Sequence, residues 1–292
     1  MLLAIALDGA SFAAADWVGA VRQADEARID LVTFDDDFGR HGPDAVLTAA
    51  RVAPLTRHVG LVPVATTTHT EPFHLSTALA TLDHVSHGRA GWQVRVSADP
   101  AEAALLGRRA PLARDELFAE AADAIEVVRR LWDSWQHDAI IKDVATGRFV
   151  DRDRLHYADF AGRYFAVKGP SIVPRPPQGN PVVAVARGEA PDDAADVVFV
   201  PDGEAGPRPG RKVFADLPVR EGGNRDAMVR ILAAAERGAD GVRLRGDPLT
   251  VIRDLVPELR WRGLFRPSRA ATLRDRLGLP PAVNRYETPI PA

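Results

Sequence analysis

A short apolar run followed by a segment of helical spacing recurs along this chain, and that alternation restricts the fold more than any other feature. Leu2–Leu7 leads into Asp16–Ala27, where Asp16 is placed to cap a helix and Trp17, Ala20, Val21 and Ala24 share one face. Asp30–Phe34 precedes a helix over Asp44–Ala53, and HVGLVPV (His58–Val64) precedes one over Pro72–Val85. AGWQVRVS (Ala90–Ser97) comes before the clearest helix, Arg114–Trp132. Residues 133–178 lose the period among Gly-, Pro- and Asp-rich turns, which predicts an insertion of small hairpins on one rim after that helix, not a second domain. The alternation resumes with strands over Pro181–Ala186, Asp196–Val200, Lys212–Leu217 and Gly241–Leu244, helices over Asp226–Arg237 and Pro248–Leu259, and a tail over 260–292. DGEAGPRPG (Asp202–Gly210) cannot form the helix due between strands six and seven, so helix six is expected to be missing. The flank of strands six and seven would then need cover from the tail or from a partner chain.

Parallel strands need crossover connections, and eight of them alternating with helices close most economically into an α/β, TIM-type (β/α)8 barrel forming a single domain over 1–292. An open doubly wound sheet is the alternative, but no G-x-G-x-x-G follows the first strand to favour it. The composition narrows the chemistry. There is no cysteine, which removes disulfides, thiolate metal sites and cysteine nucleophiles. A net charge of −3 without a basic run offers no footprint for nucleic acid. No apolar run is long enough to span a bilayer, and Leu2–Leu7 is too short for a signal core, so a soluble cytoplasmic chain is expected.

A barrel carries its ligand site at the C-terminal ends of its strands. That rule selects Asp35–Asp37 after strand two, Thr66–His69 after strand three, Gln93–Ser97 on strand four, and Arg187–Gly188 after strand five. The Asp35–Asp37 side chains diverge along an extended segment, which argues for an acidic turn with one functional carboxylate and no metal. Thr66–Thr68 suit either turn amides or the floor of a pocket. His69 is the one histidine at a rim position, hence the candidate catalytic group; His84 and His87 fit a helix C-terminus and His74 fits packing. No G-x-S-x-G elbow supports a serine hydrolase.

The stretch TTTHTEPFHLSTALATLDHVSHGRAGWQVRVS, ending at Ser97, resembles the luciferase-like flavin-dependent monooxygenases, and TLDHVSHGRAGW in particular resembles their nitrilotriacetate monooxygenase-like branch. LWDSW (Leu131–Trp135), DVATGRFVD (Asp143–Asp151), GPSIVPRPPQGNPVV (Gly169–Val183), VPELRWRGLF (Val256–Phe265) and TLRDRLGLP (Thr272–Pro280) extend the likeness over nearly the whole chain. The resemblance implies a luciferase-like barrel, reduced FMN supplied by a separate flavin reductase, oxygen activation on that flavin, a small organic substrate and a homodimer. It implies flavin contacts at Asp36, Thr66, Thr67, Gln93, Ser97 and Arg114, with the phosphate near the amides of Arg187 and Gly188 and Arg187 as its main cation.

Departures from the pattern carry information. Gln93 stands where the family has Asn, Arg95 enters a strand that otherwise reads V-T-S, and Asp115 replaces Tyr after Arg114. The phosphate cradle reads ARGEAPDD (Ala186–Asp193), setting Glu189, Asp192 and Asp193 near a dianion. Three readings follow. The chain is a flavin-dependent monooxygenase, a flavin-free barrel kept as a binding or partner subunit, or a deazaflavin-dependent oxidoreductase.

Overall fold

The computed structural model describes residues 1–220 and 222–287. Eight strands, β1 (Leu2–Leu7), β2 (Leu31–Phe34), β3 (Gly60–Thr66), β4 (Gly91–Arg95), β5 (Val182–Ala186), β6 (Val197–Pro201), β7 (Lys212–Pro218) and β8 (Gly241–Arg245), pair in that order. They close on themselves as an all-parallel barrel. The alternating apolar positions divide as a two-faced strand requires. Ala4, Leu31, Val62, Ala184, Phe199 and Phe214 fill the barrel, while Ile5, Val32, Leu61, Trp92, Val185 and Val242 point outward to the helices.

Helices α1 (Ala14–Glu26), α2 (Ala45–Val52), α3 (Pro72–Val85), α4 (Pro100–Leu106), α5 (Arg114–Asp133) and α6 (Asn224–Glu236) cover the outer face. α3 begins at Pro72 because a proline in the first turn gives up no helical hydrogen bond. Asp44 caps α2 by accepting from Leu47 N at 2.8 Å, as its place at the start of the expected helix implies. Asp16 does not cap α1. The helix starts two residues earlier, and Asp16 sits in its first turn, accepting from Ser11 Oγ at 2.6 Å. The helix expected over Pro248–Leu259 is interrupted, running as Pro248–Thr250, a π-helical stretch Val251–Leu255, and Val256–Trp261. Pro257 has no N–H to give back, and a wider turn before it absorbs the loss.

No helix follows β6: residues 202–211 form turns, as the Pro and Gly content dictates. The crossover after β5 is also reduced, to a single 3-10 turn at Asp192–Ala194. The flank is nonetheless closed within the chain. Ala190, Ala195 and Ala205 from these loops join the same apolar cluster as Val183, Val185, Val198 and Val200, all four of which are fully buried. The anticipated gap for a tail or partner chain does not exist, because small side chains let the loops lie flat on the strands.

Residues 133–178 hold two short hairpins, Ile140–Asp143 with Arg148–Val150 and Phe160–Ala161 with Ala166–Val167. They lie between the end of α5 and the start of β5, at the N-terminal end of the barrel and away from its mouth. The tail returns to that same end, where Leu273, Leu277 and Leu279 pack into the barrel interior.

Candidate functional site

Two arginines, each entering from a strand, close the C-terminal mouth. The deeper is Arg243 on β8, at an inward position opposite Asp216 of β7. Its Nε and Nη2 donate to the two carboxylate oxygens of Asp216, at 2.9 and 2.5 Å, and its Nη1 donates to Gln93 Oε1 at 2.9 Å. The guanidinium lies 3.9 Å from the centre of the Phe199 ring. A planar fork matched to a carboxylate and stacked on an aromatic face is the arrangement arginine makes and lysine does not.

Above it Arg95, at the end of β4, spans the opening. Nη2 reaches Asp35 Oδ1 at 2.8 Å, Nε reaches Glu189 Oε2 at 3.2 Å, Nη1 donates to Asp36 O at 2.7 Å, and Asp37 Oδ2 lies 3.8 Å away. Burial works against the Arg95 charge, but Glu189 and Asp35 outweigh it and hold its pKa above the ordinary arginine value. Both anchors are themselves fixed. Arg40 binds Asp35 at 3.2 Å and donates to Asp35 O and Gly9 O, while Val96 N donates to Glu189 O at 3.0 Å.

The residues anticipated as flavin contacts fall into separate groups. Thr66, Thr67 and Ser97 come together where β3 and β4 end. Thr66 Oγ1 lies 3.4 Å from Ser97 Oγ, Thr67 N donates to Arg95 O at 2.9 Å, and Ser97 N donates to Thr68 Oγ1 at 3.0 Å. Their polar groups therefore hold the loop, as turn hydroxyls do. Asp36 accepts from Ala45 N at 2.8 Å at the start of α2, and burial raises its pKa against that bond. Asp36 and Thr66 line a cavity of about 560 Å³ between the β2–α2 loop and α3. Gln93 is buried inside the barrel and committed to Arg243.

Arg114 and Gly188 do meet, the guanidinium donating to Gly188 O. Gly188 has φ +83°, and a Cβ there would lie 3.0 Å from Arg114 Nη2, so glycine is what lets the arginine approach. Arg187 faces the other way and pairs with Glu204 at 3.3 Å. Its amide, expected to face a phosphate, instead donates to Phe199 O at 2.8 Å in the β5–β6 ladder. His69 sits beyond the mouth with φ +65°, edge-on to Phe38 at 6.3 Å between ring centres. Burial first, then Arg109, lowers its pKa, so the imidazole is neutral at pH 7. The three aspartates do not all diverge: Asp36 turns to Ala45, but Asp35, which also pairs with Arg40, and Asp37, which accepts from Gly39 N at 2.8 Å, both approach Arg95.

The flavin implied by the resemblance does not fit between the two arginine layers of this mouth. The space left between the two arginine layers is about 40 Å³, room for a few waters, whereas ligand pockets measure about 300–1,000 Å³. Sequence reasoning misses the Arg243–Asp216–Gln93 set. Its signal is a charged residue at an inward position of each of the apolar strands KVFADL and GVRL.

A sequence profile described as luciferase-like monooxygenase matches residues 3–196. Nitrilotriacetate monooxygenase component A of Aminobacter aminovorans is 41% identical over 155 residues, which is 51% of this chain and 34% of that protein. The chain thus spans about a third of that relative's length. A subunit of the pristinamycin IIA synthase of Streptomyces pristinaespiralis is 36% identical over 280 residues, 91% of this chain and 90% of that one. Among solved structures, a long-chain alkane monooxygenase shares the fold with a TM-score of 0.84 at 17% identity, over 95% of both chains.

Proposed function

Since this chain belongs to the luciferase-like monooxygenase family, we propose that it is one subunit of a flavin-dependent, two-component monooxygenase acting on a small organic substrate. The observation that carries this reading is the length of the match. A synthase subunit is similar to this chain over nearly its whole length, whereas the match to the nitrilotriacetate enzyme component covers only about half of it. Reduced FMN, delivered by a separate reductase, would supply the oxygen chemistry to the assembly, so the protein itself need own no nucleophile.

What this chain contributes is a rigid, charged barrel end and a rim. The neutral imidazole of His69 and the cavity edged by Asp36 and Thr66 are the groups we assign to substrate contact at that rim. No helix of the described residues is long and apolar enough to cross a membrane. We place the protein in the cytoplasm, where a reductase can renew the carrier. A homodimer rests on the family likeness alone, since the flank that also motivated it is covered within one chain.

The test is reconstitution. The chain is co-expressed with a companion luciferase-like chain of its own genome, one whose barrel mouth carries no arginine at the position of Arg95. The two are then supplied with a flavin reductase, NADH, FMN and candidate substrates. The expected result is a stable complex whose oxygen uptake yields oxygenated product only when both chains are present. Full turnover by the companion chain alone, with no co-purification, overturns the reading.

A further inference from the structure

Resting on the subunit reading above, we propose that Arg95 with Asp35 and Glu189 is a built-in plug that keeps flavin out of this barrel, so that the assembly's flavin sits only on the companion chain. The argument is one of occupancy. A flavin ring entering a barrel mouth needs a wide dry slot, an amide to meet its polar edge, and a cradle for its phosphate. In this chain the slot and the amide are taken by the chain's own side chains, and the Arg187 amide by its main chain.

The slot is crossed by a guanidinium that bonds Asp35, Glu189 and the Asp36 carbonyl at 2.7 to 3.2 Å. The Gln93 amide oxygen is held by Arg243 at 2.9 Å. The Arg187 amide and guanidinium are spent on Phe199 O and Glu204. Moving Arg95 aside would leave Glu189 without its partner and Asp35 with Arg40 alone, two carboxylates in a partly dehydrated mouth. Charge-assisted hydrogen bonds are the strong ones, and here several converge on one side chain. The plug is therefore a stable resting arrangement with its own counter-charges, and a neutral ring offers no replacement for Arg95.

Flavin fluorescence tests this independently of any oxygenase activity. FMN and riboflavin are titrated into the purified chain, into an Arg95→Val/Glu189→Ser variant that removes one charge of each sign, and into the co-purified pair. The native chain is expected to show no saturable quenching up to roughly 100 μM of either flavin. The opened variant should bind riboflavin at least tenfold more tightly than the native chain, and the pair should saturate at one FMN per two chains. Stoichiometric binding by the native chain, or two flavins per pair, overturns the proposal. So does a folded variant, judged by its circular dichroism melt, that still binds neither flavin. Should the variant misfold, the native titration and the pair stoichiometry decide on their own. A pair that binds one flavin but oxygenates nothing would sink the proposed function and leave the plug standing.

Discussion

Asp30 is sealed at the bottom of the barrel with one carboxylate oxygen accepting from Leu3 N at 2.8 Å and the other, Oδ1, without a protein partner. Burial raises its pKa to about 6, more than the Leu3 amide and the nearby Arg276 charge can offset. Arg276 is buried alongside, donating to Asp30 O at 2.9 Å, and burial lowers its pKa to about 10. A carboxyl whose pKa is higher folded than unfolded favours the native state while protonated. Its contribution is complete below the unfolded value of 3.8 and is lost as pH rises through about 6. Asn cannot ionise. Asp30→Asn should therefore gain about 2 kcal/mol relative to the native chain between pH 4 and pH 7, read as the change in ΔΔG from urea unfolding. A difference that stays flat across that window would show that Asp30 ionises as freely in the fold as in the unfolded chain.

At the scale of elements, the most family-specific block turns out to be scaffolding. In TLDHVSHGRAGW, the Arg89 guanidinium is buried and donates to Ser86 O, Ala53 O, Thr56 O, Val59 O and Thr56 Oγ1, tying the end of α2 to the start of β4. Asp83 accepts from Ala90 N, Gln178 N and Gln178 Nε2, joining α3 to the segment that leads into β5. This block positions strands, and the mouth lies at their far end. The short helix Leu273–Arg276 docks on the same floor with equally tight tolerance. A Cβ on Gly60 would lie 2.6 Å from Leu273 Cδ1 and 3.0 Å from Asp30 O. Gly60→Ala should cost about 1–3 kcal/mol by overpacking, measured from thermal or urea melts. Adding Leu273→Val should recover part of that cost. Strict additivity of the two changes would mean that the helix does not rest on β3 as described.

For the whole molecule, the tail closes the barrel as surely as the strands do. Leu273, Leu277 and Leu279 are buried in the interior cluster, and burying such a side chain is worth about 1.5–3 kcal/mol. A chain ending at Ser268 should lose its cooperative melt and bind the hydrophobic dye ANS; a native-like melt would assign closure to the strands alone. Much of this architecture is legible in the sequence. Strand and helix order follow from local alternation, α3 runs over Pro72–Val85 as its proline start and apolar spacing dictate, and the Pro and Gly content of 202–210 forbids a helix there. α4 escapes such a reading, although Asp99 and Pro100 mark its start, because seven residues carry too little period. The site residues are legible only as positions at strand ends. Their partners are not, since Arg95 meets Asp35 and Glu189 across 60 and 94 residues of sequence, and Arg243 meets Gln93 across 150. Periodicity is a property of neighbours along the chain, so the sequence by itself determined the elements and their alternation. Which charges face one another depends on closure and on the inward phase of each strand, and only the tertiary structure decided that the mouth is filled with arginine.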